Sequence, residues 1–434
     1  MRVVIGSGAD GLRAAAALAA SGASVLLLQE SETAHGLSHP DMPEGTGRLY
    51  VDPSVRTQAE AALGPLVEAP AVKRAVSIRG EVHSIPMALS AVPRLFDGPA
   101  LAEVGRRFFS QRVRNSMIPL TGGGQEERTY REWVERRMGA PAYRHAYADY
   151  AHRRWGLAGD QLSVAVARLH HNPHRVEPGQ VAGGGPAAAL AQAVATIEAN
   201  GGEVRCGSRV RGLKVEDGKV VAVRVGRRNI PVDDGPVWIA RPHSVVAGWL
   251  GDALPSAQRV DAAALHVWDR VQVAIRVGDS AMADEIHVLE PAAPAWRVTQ
   301  EYGGTAWAVF HATLQPDAPT PSAEAMVRLG SSMGMRGLDP AGVRVERLRE
   351  WSPLWAPVVH PRLRRLSLAW SELGIVAVGR RGTFTAIDPG TEMAVAISHA
   401  SEDGPDQREV LRAILAPPVK DNDLDASFRD FIWS

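Results

Sequence analysis

The sequence predicts an α/β fold in which a Rossmann-type dinucleotide-binding domain is interleaved with a second domain of mixed β-sheet and helices. Three observations predict it. A strand, a glycine-rich loop, a helix and a second strand follow one another within the first thirty residues. Segments of the same kind return near residues 180–250 and again near residue 375. The segments between them differ in character, which indicates two domains threaded through each other along one chain.

The opening segment has the pattern of a βαβ unit. Residues 2–5 are a short apolar run before a glycine, typical of a buried parallel strand. Residues 11–21 are rich in Ala and Leu, which favours a helix, and Gly22 ends it. Residues 25–28 are a second apolar run. Strand, helix and strand in this order predict two parallel strands with the helix packed against them.

The loop of this unit carries a GxGxxG fingerprint, formed by Gly6, Ser7, Gly8, Ala9, Asp10 and Gly11. In this context Gly6 permits the tight turn, Gly8 lets the backbone approach a pyrophosphate, and Gly11 lets the helix pack closely on the strand. The helix N-terminus then favours the anion. Glu30 ends the second strand, where an acidic side chain accepts hydrogen bonds from the adenosine ribose and disfavours NADP. The fingerprint alone does not separate FAD from NAD.

The remaining elements follow from hydrophobic periodicity and turn residues. Helices are predicted at residues 101–114, 129–138, 187–200 and 389–399. Strands are predicted at residues 203–206, 210–215, 220–223, 237–240, 271–277, 305–312 and 375–378. Asp217-Gly218 is the turn of a hairpin.

Composition narrows the function classes. The 434 residues carry 48 basic and 48 acidic side chains, so nothing in the charge balance calls for a nucleic-acid partner. The apolar fraction of 45% is that of a globular protein. We expect no transmembrane helix, because no run of 18 apolar residues appears, and no signal peptide. Cys206 is the single cysteine and is expected to be a small buried residue in a strand. We therefore expect a cytoplasmic protein.

Beyond Glu30 the sequence resembles the flavin amine oxidoreductase superfamily. Residues 31–38 are similar to its second glycine motif, a double glycine followed by Leu-Ser or an Arg. Here His35 replaces the first glycine, while Gly36, Leu37 and Ser38 are kept. The segments 129–134, 143–150 and 155–163 resemble a stretch shared by the members similar to protoporphyrinogen oxidase and to UDP-galactopyranose mutase.

Two later segments extend the resemblance. Residues 183–185 and 202–210 look like the segment that holds the FAD adenine, and the position implied for that contact is Val210. Residues 378–384 resemble the C-terminal flavin motif, which implies cofactor contacts at Gly379 and Arg380. Asp388 further on is a plausible N-cap for the following helix. In the family, backbone N–H groups at such a helix start contact the flavin; the positions here are Thr391, Glu392 and Met393.

The resemblance implies FAD as the cofactor and an amine oxidase-like architecture. The implied FAD-binding domain consists of three separate segments, residues 1–88, 179–254 and 366–434. The implied substrate domain consists of a helical segment, residues 89–178, and a second segment, residues 255–365. The implied function is an FAD-dependent oxidoreductase that oxidises a small organic molecule, a biosynthetic intermediate being the substrate expected. Neither the substrate nor the catalytic side chains follow from the sequence.

Two alternatives stay open. Many amine oxidases of the superfamily use a lysine near the flavin, yet the chain has only four lysines and none is placed like it, which disfavours a standard amine oxidase. A flavin-dependent sugar-nucleotide mutase would use several Arg and Tyr to hold a nucleotide diphosphate. Arg is abundant, but Arg153, Arg154, Arg168 and Arg175 are interpreted mainly as solvated helix faces. A flavoprotein without redox turnover is the third hypothesis, motivated by His35 alone.

Other conspicuous residues are assigned to packing or surface roles. His170, His171 and His174 form an HHxxH pattern, but no further ligand completes a metal site, so no metal is predicted. Five tryptophans are interpreted mainly as core residues, namely Trp296, Trp307, Trp351, Trp355 and Trp370.

Overall fold

The structure is a computed structural model with side chains. It describes residues 1–6, 8–37, 56–68, 73–85, 98–106, 127–170, 180–182, 185–233, 235–278, 283–302 and 306–383. The strands are β1 (Arg2–Gly6), β2 (Val25–Gln29), β3 (Leu66–Glu68), β4 (Arg74–Ile78), β5 (Glu81–Ile85), β6 (Gln180–Ala182), β7 (Glu203–Arg205), β8 (Val210–Glu216), β9 (Lys219–Val225), β10 (Arg228–Pro231), β11 (Val237–Ile239), β12 (Val267–Arg276), β13 (Glu285–Val288), β14 (Arg297–Tyr302), β15 (Ala306–Leu314), β16 (Asp339–Pro353) and β17 (Ile375–Ala377).

The helices are α1 (Ala9–Ala20), α2 (Arg56–Leu63), α3 (Tyr130–Met138), α4 (Ala148–Trp155), α5 (Val164–His170), α6 (Gly185–Ala199), α7 (His243–Leu250), α8 (Ser256–Ala263), α9 (Ala323–Ser332), α10 (Val359–Glu372) and α11 (Gly379–Thr383). Residues 98–106 are also helical. A short helix at Ala140–Ala142 and a π-helical turn at Tyr143–Tyr147 lead into α4, and a 3₁₀ turn at Gly251–Ala253 follows α7.

A five-stranded sheet has the order β17-β11-β1-β2-β7, and all its pairs are parallel. Strands β1, β2 and β11 are short apolar runs, as expected where both faces of a sheet are covered, whereas the edge strand β7 is mostly exposed. Val4 and Leu27 face a core formed with α1, α2 and α6. Val3 and Ile5 face the opposite core, which contains β8, β9, α7 and α10. This is the Rossmann-type domain that the sequence predicts.

The second large sheet has seven strands in the order β16-β12-β15-β14-β13-β4-β5. The β13–β4 pair is parallel and the others are antiparallel, so the sheet is mixed as predicted. One face is apolar and packs on α9, with Phe310 and Met326 both 0% exposed. Helices α3, α4 and α5 form a further core with aromatic side chains. Two small sheets, β10-β9-β8 and β3-β6, complete the described structure.

The chain passes between these sheets repeatedly, so the domains are interleaved as predicted. The predicted boundary at residue 88 places β4 and β5 with the dinucleotide-binding domain, whereas their hydrogen bonds join them to the seven-stranded sheet. The remaining predicted boundaries stay predictions. Among the described residues, no helix is long and apolar enough to cross a membrane.

The predicted helices and strands that lie within the described residues are present, and the one local prediction about them that is wrong concerns Cys206. The hairpin turn has Asp217 and Gly218 at φ values of 50° and 74°, the left-handed region that a two-residue hairpin turn requires. Cys206 lies in the turn after β7 and is exposed, so its prediction as a buried strand residue is wrong. The strand ends one residue earlier than its pattern suggests, because β7 is an edge strand of only three residues.

Candidate functional site

The fingerprint glycines bring β1 and α1 into backbone contact. A Cβ atom on Gly11 would lie 2.7 Å from the Gly6 Cα, so Gly11 has the close-packing role predicted for it. A Cβ on Gly6 would lie 2.7 Å from Oε1 of Gln29, so side-chain crowding also restricts that position to glycine. Gly8 is different, since the nearest atoms to a Cβ there stand 3.8 Å away. Ser7 lies outside the described residues.

Gln29 belongs to the site, although sequence reasoning did not single it out. Its side chain is 0% exposed, and its Nε2 donates to the Gly8 carbonyl oxygen at 2.9 Å. The same Nε2 also donates to the carbonyl oxygen of Ala34. Gln29 therefore ties the fingerprint loop to the loop after β2. The signal was present in the sequence, as a polar residue ends an apolar strand just before Glu30.

The loop after β2 carries the altered glycine motif. Gly36 has a φ of 66°, which favours glycine, and Leu37 is 5% exposed. The backbone N–H of Leu37 donates to Nδ1 of His35 at 3.1 Å. The imidazole that replaces the usual glycine thus holds its own loop in place. Ser38 lies outside the described residues.

Glu30 stands at the end of β2 between two arginines. Its Oε2 lies 3.0 Å from Nη1 of Arg241, and its Oε1 lies 3.4 Å from Nε of Arg209. Arg241 also approaches Oε2 of Glu350 at 3.4 Å, so one guanidinium joins the dinucleotide-binding sheet to β16. In the sequence, residue 241 stands out only as part of a strand followed by a proline. The arginine charges weaken the repulsion that we expected Glu30 to exert on a 2′-phosphate.

Asp10 is buried under the fingerprint beside three arginines. It is 5% exposed, and its Oδ1 accepts from Nη2 of Arg13 at 2.8 Å. Burial alone would raise the pKa of the Asp10 carboxyl, but the charges of Arg13, Arg380 and Arg381 together lower it. Asp10 is therefore ionised, and it anchors cations from α1 and α11.

Helix α11 packs directly on the fingerprint. Gly379 has a φ of 68°, and a Cβ there would lie 2.8 Å from the Cβ of Asp10. The Cζ atoms of Arg380 and Arg381 lie 4.4 and 5.8 Å from the ring centroid of Trp351 on β16. Gly379 and Arg380 are thus close to the fingerprint, and the cofactor contacts that the resemblance implies for them stay predictions. The other predicted contacts of this region, Asp388, Thr391, Glu392 and Met393, lie outside the described residues with the predicted helix 389–399.

These elements surround one cavity of about 790 Å³. Its predicted lining residues are Gly8, Ala9, Glu30, Gly36 and Leu37. The further lining comes from α7, the segment between α8 and β12, the ends of β12 and β16, and α11, and it includes Ser244, Leu265, Asp269, Leu348, Glu350, Trp351 and Arg381. The volume is within the range of cofactor sites. Val210 is buried at the start of β8 and is not among these lining residues, so its contact with a cofactor stays a prediction.

The face of the seven-stranded sheet opposite α9 carries a row of polar side chains. Gln272 of β12 pairs with Glu346 of β16 on one side and with His311 of β15 on the other. His311 pairs in turn with Arg297 of β14, and Arg297 pairs with His287 of β13. Directly paired residues of neighbouring strands project from the same face. The row is buried, since the first four of these side chains are at most 9% exposed.

His311 is held as a neutral imidazole within this row. Its Nδ1 lies 2.9 Å from Nη2 of Arg270, which can only donate, and its Nε2 lies 2.9 Å from the Thr299 hydroxyl. Burial, with the charges of Arg297 and Arg270, lowers the pKa of His311 well below its usual range. Nδ1 is therefore the acceptor and Nε2 carries the proton.

A hydrogen-bonded chain runs from α4 to the same sheet face. Arg154 Nη1 donates to the Tyr150 hydroxyl at 2.7 Å, and that hydroxyl lies 2.8 Å from Nδ1 of His287. Nε2 of His287 lies 3.4 Å from Oε1 of Glu285, which also accepts from Arg297 Nη1 at 3.2 Å. Burial lowers the pKa of His287 to about 3. Burial alone would raise the pKa of Glu285, but the surrounding cations lower it to about 2.

Three guanidinium groups surround one indole on this face. The Cζ atoms of Arg154, Arg270 and Arg297 lie 4.9, 5.5 and 4.9 Å from the Trp296 ring. Arg270 pairs directly with Leu348, which lines the cavity, so the polar face reaches the edge of the cavity at this pair. Long-range strand pairing produces this cluster, and no local motif predicts it.

The structure changes the interpretation of Arg153 and Arg154. Arg153 donates to the carbonyl oxygens of Ala295 and Val288 at 2.6 and 2.9 Å, and Arg154 is half-buried, so their assignment to solvated helix faces is wrong. The HHxxH residues after His170 lie outside the described residues, and the described residues contain no group of metal-ligating side chains. Of the five tryptophans, all except the half-buried Trp307 are in the core.

No protein-family model matches the chain, and no curated protein matches it in sequence. Solved structures are similar to it in fold. A provisionally named protoporphyrinogen oxidase from Exiguobacterium sp. 255-15 has a TM-score of 0.66 at 18% identity, covering 92% of this chain and 97% of its own. Reduced UDP-galactopyranose mutase has a TM-score of 0.68 at 13% identity, covering 96% of each chain. Cyclohexylamine oxidase from Brevibacterium oxydans IH-35A has a TM-score of 0.61 at 14% identity, covering 95% and 98%. The chain therefore has the fold that the sequence resemblance predicts.

Proposed function

We propose that this chain is an FAD-dependent oxidoreductase that oxidises a small organic molecule. The observation that carries the proposal is the cavity lined jointly by the fingerprint loop, by Glu30 and by the altered glycine motif. These three features are separated along the sequence and lie around one space of cofactor size. The fold shared with an amine oxidase and a protoporphyrinogen oxidase supports the same conclusion.

The described residues fit FAD. Gly8 and the N-terminus of α1 would receive the pyrophosphate, because N–H groups and the helix dipole favour an anion there. The Glu30 carboxylate would accept from the ribose hydroxyls. FAD supplies the electron-accepting ring when bound, and the protein supplies orientation and a dry pocket. The buried polar face around Trp296 is the surface that we assign to the substrate side.

The experiment that tests this function is the visible spectrum of the purified protein, recorded before and after heat release of the ligand. The bands of oxidised flavin, with a released compound that migrates as FAD, are the expected result. A colourless protein that also fails to take up added FAD would overturn the proposal.

Replacement of Glu30 by Lys is expected to weaken FAD binding by at least about tenfold. The variant loses a charge-assisted hydrogen-bond acceptor, which is worth roughly 1.5–3 kcal/mol, and adds a cation beside Arg209 and Arg241. Titration of the apoprotein with FAD measures the change. Glu32→Lys is the matched control, because Glu32 is exposed and does not line the cavity. Full FAD occupancy in a folded Glu30→Lys protein would contradict the assignment of Glu30.

A flavin-dependent sugar-nucleotide mutase is the second candidate, and one observation favours it. Arg154, Arg270 and Arg297 meet around Trp296 beside Tyr150, the residue types that we expect to hold a nucleotide diphosphate. The fold shared with UDP-galactopyranose mutase agrees with this.

Anaerobic mixing with candidate substrates separates the possibilities. An oxidoreductase substrate bleaches the flavin, whereas a mutase needs a flavin reduced beforehand and leaves no net redox change. A flavoprotein without turnover shows neither behaviour. His35 was the motivation for that third hypothesis, and its ring supports its own loop through Leu37.

A further inference from the structure

The fingerprint loop carries a negative side chain close to the proposed position of the negatively charged pyrophosphate. Asp10 is the second residue of α1, in the first turn, where the helix N-terminus would also receive the pyrophosphate. A carboxylate at this place repels that anion. The loop after β2 offers no compensation, because residues 31–38 contain neither Lys nor Arg. A cation from elsewhere in the chain would offset this repulsion.

Helix α11 brings that charge. Arg380 and Arg381 are 9% and 6% exposed, and both act on the Asp10 carboxylate together with Arg13. Among the described residues of this cluster, three guanidinium groups face one carboxylate. The three guanidinium groups and the Asp10 carboxylate together have a net charge of two positive, which equals in size the two negative charges of a pyrophosphate.

Position distinguishes the two arginines of α11. Arg381 lines the cavity together with Gly8 and Ala9, whereas Arg380 is not among the described lining residues. Nη2 of Arg381 would stand 3.8 Å from a Cβ atom placed on Gly8, so this guanidinium borders the open side of the fingerprint loop. The Cζ of Arg380 is instead centred over the Trp351 ring at 4.4 Å.

We propose that Arg381 is the residue that binds the FAD pyrophosphate, and that Arg380 and Trp351 position it. The inference rests on the proposed function, since it concerns the same cofactor. It assigns to a residue of α11 a cationic contact with the pyrophosphate, in addition to the backbone N–H groups of the fingerprint loop.

The test compares ligands with and without the pyrophosphate. FAD, ADP and adenosine are titrated against the apoprotein of wild type, Arg381→Gln and Arg381→Lys, with calorimetry as the readout. We expect Arg381→Gln to weaken FAD and ADP by about 10- to 100-fold and to leave adenosine within about twofold. Arg381→Lys keeps the charge and loses the bidentate geometry, so an intermediate loss is expected. Arg259→Gln, an exposed arginine away from the cavity, is the control.

The outcomes separate the two proposals. Equal ADP affinity in wild type and in a folded Arg381→Gln protein would overturn the role of Arg381 alone. A loss of the same size for adenosine would also overturn it, because it would show a general disturbance of the cavity. If wild type binds neither FAD nor ADP, the proposed function itself fails. Should Arg381→Gln not fold, the difference between ADP and adenosine in Arg381→Lys decides the question.

Discussion

A Gly11→Val variant is expected to lose FAD binding entirely and to unfold more easily than the wild type. The Cβ atom alone would lie 2.7 Å from the Gly6 Cα, a contact between two backbones in which no side chain can move aside. Overpacking of a closed interior typically costs about 1–3 kcal/mol and occasionally more. The added bulk pushes α1 away from β1, and with it the N–H groups that would receive the pyrophosphate. Urea unfolding and FAD titration measure the two effects.

Gly248→Ala is the matched control for this prediction. Gly248 lies inside α7, and nothing stands within 4 Å of an added Cβ. Alanine favours a helix by up to about 1 kcal/mol over glycine, so this variant should be as stable as the wild type or more stable. A Gly11→Val protein with wild-type FAD affinity would show that the contact between β1 and α1 does not shape the site.

The second large effect is a loss of stability in mild acid, caused by histidines that are neutral in the folded protein. Burial lowers the pKa of His243 to about 4 and that of His287 to about 3, and the pKa of His311 is shifted in the same direction. The unfolded chain binds protons at these residues below about pH 6.5, whereas the folded protein does not. These histidines therefore do not reduce the free energy of unfolding above about pH 6.5. The free energy of unfolding falls as the pH decreases from about 6.5 towards the pKa values that the histidines have in the folded protein.

The size of this loss of stability follows from the linkage between proton binding and unfolding. Each histidine that protonates only on unfolding reduces the free energy of unfolding by about 1.4 kcal/mol per pH unit. Between about pH 6.5 and 4, His243 and His287 together remove on the order of 5 kcal/mol. Glu285 acts at lower pH, because its pKa in the folded protein is about 2. Its ionised form stabilises the fold above the usual pKa of a glutamate, and this contribution is lost as the pH falls from that usual pKa towards about 2.

Urea unfolding at several pH values tests the histidine prediction. The slope of the free energy of unfolding against pH between about 4.5 and 6 should fall by about 1.4 kcal/mol per pH unit in His287→Gln, because one proton fewer is taken up. His145→Gln is the control and should leave the slope unchanged, since His145 is exposed. An unchanged slope in His287→Gln would mean that His287 is already protonated in the folded protein.

Much of the dinucleotide-binding domain could be predicted because its signals are local. Strand β1, the fingerprint and Glu30 all lie within the first thirty residues, and Gly8, Ala9 and Glu30 line the cavity. The same holds for the hairpin at Asp217, whose turn chemistry is carried by two residues. Short-range patterns of this kind fix backbone conformation directly.

The rest depends on contacts between distant segments of the chain. Arg381 meets Gly8 only because β17 joins the edge of the parallel sheet and carries α11 back to the first loop. His311 and Arg297 meet through strand register, which no single segment specifies. Arg153 was misinterpreted for the same reason, since the carbonyl groups that it binds belong to residues more than a hundred positions away.

The strand order of the parallel sheet has a consequence for how the protein is made. β1 lies between β2 and β11. The other edge of β11 pairs with β17, which is formed by residues 375–377. At ribosomal speeds of roughly 5–20 residues per second, β17 is made tens of seconds after β1. Such long-range pairing also slows folding itself. The parallel sheet therefore stays incomplete until β17 has been made, and the fingerprint loop lacks the contact with α11 until then.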